Sequence, residues 1–325
     1  MRNSAWYTDA KTCAALIAHA VANRLDAGET GAFTRQLTYI IKRLYDKKYP
    51  DLRARDFIPF NREVPDGAET WAERGYDWFG MAKIGDGHAD DLPVVTVQGE
   101  EVLHKPKLVF DAYEYTLDEI RRSQFGGLNL DTKYAFAARR AWENVVEQVA
   151  AKGDAPANLP GFLNNSNVPV VTGGVTSGFI GSWDTATSSQ ILSDLQYLES
   201  SVFTTSKTVW RPDTLLLPPS KFKIVMAKPF SDLVPEPVGK VFLRTSLYVK
   251  NIDQWNFLET ADAGLTGPRA VCYLRDAEVV EFMMMREFTQ NAPQPKALKI
   301  SIPCDGKIGG VSWHYPLAAV YADSI

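Results

Sequence analysis

Histidine and cysteine are scarce in this chain of 325 residues, at four and three copies. Cys13, Cys272 and Cys304 lie far apart and none belongs to a Cys-x-x-Cys pair, which excludes a zinc knuckle and a dithiol redox centre. A sparse, odd set of thiols fits a reducing compartment better than a disulfide-stapled secreted fold. His19, His88, His104 and His314 form no His-Glu-x-x-His and no i, i+4 pair, so the helical zinc-hydrolase signature is missing. Gly-x-Ser-x-Gly is absent too, which removes the commonest serine-hydrolase elbow. No apolar run approaches the ~20 residues of a membrane helix, and Met1 to Asp9 lacks the apolar core of a signal peptide. Neither sign of charge dominates: Lys plus Arg number 35, Asp plus Glu 39, and the net charge is -4. With a pI near 5.7 and no basic block, non-specific attraction to nucleic acid is not expected.

What is present is ordinary globular composition, 45% apolar and 23% charged, with a large aromatic stock. Apolar spacing predicts helices from Thr8 or Asp9 to about Leu25, from Thr30 to Tyr49-Pro50, and over Leu117–Gln124. The strongest helical signal runs from Leu130 to Lys152, with Leu130, Tyr134, Ala137, Ala138, Ala141, Val145 and Val149 as its stripe, Trp142 and Val146 flanking it, and Gly153 as its stop. Another helix is expected from Asp184–Thr187 to about Ser200. Strands are expected around 213–219, 270–275, 278–288, 298–303 and 311–322, and short β and turn pieces over 222–248. The class is α+β.

Between these parts lies a long extended excursion. Ala68 to Ile84 carries Trp71, Tyr76, Trp78 and Phe79; a turn-rich tip, 85–93, holds Asp86, His88, Asp90 and Asp91; Val94 to Tyr115 returns. This reads as one long hairpin. An arm of about 15 residues reaches roughly 50 Å, beyond a domain radius of roughly 20 Å. Two strands of that length are only marginally stable alone, so the arm must lie on its own body or on a neighbouring copy.

Few groupings carry chemistry. Asp86, His88, Asp90 and Asp91 are close enough to hold a hard cation, or simply form a solvated turn. Gly173 to Ser182 lacks the Gly-Lys-Ser/Thr ending of a phosphate loop and reads as a flexible loop. Met283-Met284-Met285 reads as strand core. Arg121-Arg122 and Arg139-Arg140 lie on the central helices, either solvated or facing acids of a neighbour. No catalytic residue, metal site or cofactor is expected.

The order of parts, and a collinear set of short strings, carry a resemblance. The strings include Ala68-Glu69-Thr70, Gly80-Met81-Ala82-Lys83-Ile84, Ala89-Asp90-Asp91-Leu92-Pro93, Tyr115-Thr116-Leu117-Asp118-Glu119, Gly161-Phe162-Leu163-Asn164, Pro212-Asp213-Thr214-Leu215-Leu216-Leu217-Pro218-Pro219 and Tyr315-Pro316-Leu317-Ala318-Ala319-Val320-Tyr321-Ala322-Asp323. From about Ala68 to Asp323 the chain resembles the major capsid (coat) proteins of tailed bacteriophages, with the Hong Kong 97-type fold shared with encapsulins. The resemblance implies an N-terminal arm over 1–61, an extended E-loop hairpin over 62–111, a peripheral domain over 112–182 with its spine helix at 130–152, an axial domain over 183–275, and returning peripheral strands over 276–325. It implies a non-enzymatic subunit of a virion that assembles with itself as hexamers and pentamers into an icosahedral shell around double-stranded DNA. Portal, scaffolding or decoration proteins are implied partners, no membrane is, and assembly is expected in the bacterial host cytoplasm. With Met1 present and a short arm, no fused and cleaved scaffold is expected, and no covalent crosslink. The inter-subunit contacts expected are Trp71, Tyr76, Trp78, Phe79, Asp86, Asp90, Asp91, Arg139 and Arg140. Two alternatives stand beside this: an encapsulin-like compartment holding cargo enzymes, and a metal-dependent enzyme built on the Asp86/His88/Asp90/Asp91 cluster.

Overall fold

A computed structural model describes residues 49–84, 94–126, 130–174, 178–259 and 267–325. The two helices expected before Tyr49 and the turn 85–93 lie outside these. The chain divides into units Met1–Asp51 and Leu52–Ile325, and every contact below is within the second. Its elements are α1 (Ala54–Phe57), β1 (Phe60–Asn61), β2 (Trp71–Phe79), β3 (Thr96–His104), β4 (Lys107–Thr116), α2 (Leu117–Gly126), α3 (Leu130–Lys152), β5 (Val170–Thr172), α4 (Ser188–Thr205), β6 (Thr214–Leu217), α5 (Pro219–Ala227), α6 (Val238–Thr245), β7 (Asn251–Gln254), β8 (Arg269–Tyr273), β9 (Val280–Gln290), β10 (Gln294–Lys296), β11 (Lys299–Trp313) and β12 (Ala319–Asp323).

Strand β6 explains the run Leu215-Leu216-Leu217. It lies inside a sheet of order β5-β12-β8-β6-β7, and Leu216 faces one core while Leu215 and Leu217 face another. Neighbouring strands divide the same way: Val271, Tyr273, Ala319 and Tyr321 enter the first core, and Ala270, Cys272, Val320 and Ala322 the second. A strand covered on both sides reads as continuous apolar sequence, with no polar alternation. The second sheet has the order β1-β9-β11-β10, with β4 on the other edge of β11. Its long strand β11 pairs with β4 over Lys299–Ile308 and with β9 over Cys304–Trp313. One strand therefore replaces the two expected over 298–303 and 311–322, followed by a short 3-10 turn and β12.

Helix α3 has the limits expected, but its buried face is turned. Ala138, Trp142, Val146, Val149 and Ala150 are buried, whereas Ala137, Ala141 and Val145 of the expected stripe are exposed. The cause is non-local. The Trp142 indole lies directly on Gly306 of β11, where a Cβ would stand 2.7 Å from its Nε1. That seat orients the helix. Helix α4 starts with a complete capping box between Thr187 and Gln190, and runs to Thr205. The segment expected to be β and turn pieces, 222–248, instead contains helices α5 and α6. Prolines flank both: Pro219 is the first residue of α5 and Pro237 the N-cap of α6. Proline ends a helix from inside but is favoured in its first turn.

Buried carboxylates tie distant segments together. Glu147 of α3 accepts from the backbone N–H of Arg53 (3.1 Å) and Ala54 (2.8 Å) and from Trp255 Nε1 (2.8 Å). Glu199 of α4 accepts from Ser246 Oγ and the N–H groups of Leu247 and Tyr248 at 2.7–3.0 Å. Asp194 takes the N–H of Ile180 (2.8 Å), the N–H of Gly181 (3.0 Å) and the Trp183 indole (2.9 Å). The described part of the Gly173–Ser182 loop is thus held by Asp194, contrary to the flexible loop expected, and a protein carboxylate already occupies the donors an anion would need.

Candidate functional site

Strands β2 and β3 form a two-stranded sheet by themselves, paired antiparallel from Trp71 opposite His104 to Phe79 opposite Thr96. Each has nine residues, about 30 Å at the usual rise. The expected long return limb is broken at Lys105-Pro106: β3 pairs with β2, and β4 belongs to the body. Along β2 and β3 every residue is exposed except Trp71, Glu73 and His104.

Directly opposed residues share a face, so the register separates two surfaces. One carries Ala72, Leu103, Tyr76, Trp78 and Val97, with an Arg74–Glu101 ion pair of 3.3 Å among them. The Tyr76 ring covers Gly99, within 3.3 Å of where a Cβ would be. The other carries Asp77, Gln98, Glu100 and Phe79, and at its root Trp71, His104 and Glu73. Only this second face meets the body. Trp71 packs with Met283 and Met285, lies against Gly309, and stacks on His104 at 4.3 Å. The apolar face points the opposite way, and Trp78 keeps 79% of its surface bare. Tyr76 and Trp78 on this face, and Phe79 at the far end of the other, are exposed. Trp71 is a correction: 8% exposed, it is buried by its own chain and anchors the hairpin.

Glu73 also belongs to the root. Its carboxylate is 3.5 Å from His314 Nδ1 and 3.7 Å from His104 Nε2, and it accepts from Ser312 Oγ. His314 Nε2 is 3.0 Å from Glu281, whose other oxygen accepts from Asn61 at 2.8 Å. Hydrogen bonds to Glu281 and Glu73 outweigh burial and raise the His314 pKa to about 9. Burial alone would raise Glu73, but hydrogen bonds from His314 and Ser312 and the nearby imidazoles bring it below its usual value. Sequence reading missed this cluster, because its members come from four strands and no local spacing joins them.

The expected basic pair is split. Arg139 is exposed and ion-paired with Glu143 at 3.1 Å, while Arg140 is half-buried, because adjacent helical residues point about 100° apart. Arg139, Phe136, Ala135, Thr132 and Phe288–Gln290 line a surface groove of about 460 Å³. Asp86, His88, Asp90 and Asp91 lie outside the described residues. Among the described residues no group of three or more His, Cys, Asp or Glu side chains is placed to hold a metal ion, and no helix is long and apolar enough to cross a membrane.

A family model described as "Major capsid protein" matches residues 80–325. No curated protein matches the chain. Among solved structures, the capsid of Myoviridae phage XM1 is similar with a TM-score of 0.79 at 12% identity, covering 90% of this chain and 98% of that one. The capsid of a native GTA particle gives 0.62 at 11% identity, covering 88% and 94%. A virus-like particle from Pyrococcus furiosus gives 0.51 at 14% identity, covering 82% and 91%.

Proposed function

This chain belongs to the major capsid protein family and has the Hong Kong 97-type α+β fold; from that premise we propose that it forms hexamers and pentamers that close into an icosahedral shell around the double-stranded DNA genome of a tailed bacteriophage. The observation that carries this reading is the hairpin. Its apolar face is bare and turned away from its own body, so burial has to come from an adjoining copy. A head-to-tail contact of that kind closes into rings. In this reading 1–61 is the N-terminal arm, 62–111 the extended loop with β4 already bonded into the body at its end, 112–182 and 276–325 the peripheral domain, and 183–275 the axial domain. Tyr76, Trp78 and Phe79 are contacts between copies. Asp86, Asp90 and Asp91 meet Arg139 and Arg140 of a neighbour, so Arg139→Glu with Arg140→Glu lowers assembly yield at low salt; an unchanged yield removes that pairing. The net charge of -4 suits a container that does not bind its packed DNA tightly. Portal, scaffolding or decoration proteins are its further partners, the host cytoplasm its place of assembly and the virion its destination.

The same fold leaves a second reading, an encapsulin-like shell around cargo enzymes. Electron microscopy of the expressed full chain tests both. Closed particles of uniform diameter are expected; a second protein inside them in place of nucleic acid selects the cargo reading. A monomer of 36.2 kDa at all concentrations refutes both.

A further inference from the structure

Besides the Trp71 anchor, two sets of polar contacts hold the hairpin to the body, and their chemistry differs. On the incoming side, Lys307 of β11 donates to the carbonyls of Asp66 (2.5 Å) and Ala68 (2.7 Å). Arg286 of β9 pairs with the Asp66 carboxylate at 3.4 Å and with Asp305 at 2.5 Å. No histidine takes part. On the strands themselves, Glu73 of β2 and His104 of β3 face Ser312, His314 and, through His314, Glu281 of β9. These are the titratable and charged groups the cluster presents from each element packed on it.

His314 is the bridge. It stands between a carboxylate of the hairpin and a carboxylate of the body, one at each ring nitrogen. A neutral imidazole has one N–H and can donate to only one of them; an imidazolium donates to both. The shorter contact is the one to Glu281 (3.0 Å against 3.5 Å), so the remaining proton stays on Nε2; Glu73 then keeps only Ser312 as a donor and the hairpin loses its bond to His314, while the Lys307 and Arg286 contacts at 66–68 persist. We propose that Glu73, His314 and Glu281 form a charge-operated latch that fixes the angle of the hairpin, with residues 66–68 as its hinge. The proposal does not depend on what the hairpin binds, since it concerns a single subunit.

The direction with pH follows. His314 is raised from 6.5 to about 9, so its contribution is complete below about 6.5 and disappears as the pH climbs through about 9. Glu73 is lowered from 4.5, so its contribution is present above that value and is lost as the pH falls through the depressed one. The latch is closed between these limits.

Pulsed electron spin resonance on the unassembled full-length chain tests it, with Cys13→Ser and spin labels at Gln98→Cys and Lys240→Cys. At pH 7 the wild-type background gives one narrow distance distribution, which broadens by about twofold at pH 10 as a second hairpin orientation is populated. His314→Gln, neutral at every pH, is broad already at pH 7 and changes no further at pH 10. Glu73→Gln alters only the hairpin side and gives the same broad result if His314→Gln folds poorly. Narrow distributions in both variants at pH 7, or a wild-type broadening that persists unchanged in His314→Gln, overturn the latch.

Discussion

Trp71 and Trp78 stand on one strand and fail in opposite ways when cut back to alanine. Trp78 is 79% bare; an indole that buries about 200 Å² when covered has about 160 Å² left to lose, or about 4 kcal/mol at ~25 cal/mol per Å². Ordering and incomplete coverage at a contact reduce this to about 2 kcal/mol, which is roughly thirtyfold in the equilibrium constant of each contact. Trp78→Ala therefore raises the concentration at which particles form by about that factor and leaves the thermal midpoint of the subunit unchanged. Trp71, at 8% exposed, behaves the other way. Its removal empties a site lined by Met283, Met285 and Gly309 and costs about 3–5 kcal/mol, a fall of roughly 10 °C in Tm. Light scattering against concentration, with electron microscopy of the product, reads the first; differential scanning calorimetry of the unassembled subunit reads the second. Gln98→Ala, on the polar face, serves as the control with a small effect. An assembly threshold for Trp78→Ala equal to that of the wild type refutes the argument that the apolar face is buried between copies. A lowered Tm for Trp78→Ala shows that the ring is used within the subunit.

Gly306→Ala places a methyl group against the buried Trp142 indole, with three ring atoms within 2.9 Å, and overpacking of this kind costs about 1–3 kcal/mol in denaturant melts. Glu147→Ala leaves the Arg53 and Ala54 N–H groups and the Trp255 indole without their acceptor, and at ~1–3 kcal/mol for each buried orphan it lowers stability by at least about 3 kcal/mol; Glu147→Gln keeps an acceptor and loses less. Between pH 8 and pH 10 the wild-type subunit loses the His314 contribution, because the raised pKa of about 9 is crossed, so its midpoint falls further over that range than that of His314→Gln.

Local patterns carried much of the secondary structure. The limits of α3, the outgoing strand of the hairpin, the triple-leucine strand β6 and the Met283–Met285 core strand could all be read from apolar spacing and stop residues, because each depends on residues adjacent in the chain. Helices α5 and α6 could not. They are short, and short helices owe their stability to burial on a tertiary surface; their prolines look like breakers until the helix start is known. The buried side of α3 was also hidden, since the helix has apolar residues on two adjoining stripes and only the glycine of a distant strand selects Trp142 for the core. In the candidate site, Tyr76, Trp78 and Phe79 stood out as unpaired aromatics on extended sequence. Trp71 is of the same kind, and no local feature separates it from them, although the body of the protein buries it.

The sequence by itself determined that this chain has an α+β body with a long extended excursion, and that its scarce His and Cys form no recognised metal or redox motif. Those conclusions rest on composition and on periodicities of two and 3.6, which are local. Tertiary structure alone decided which hairpin face meets the body, that one strand should serve two sheet partners, and that Glu73, His104, Glu281 and His314 should meet. Such contacts join residues far apart in the chain, and no short-range pattern records a pairing whose free energy appears only when the sheets have assembled.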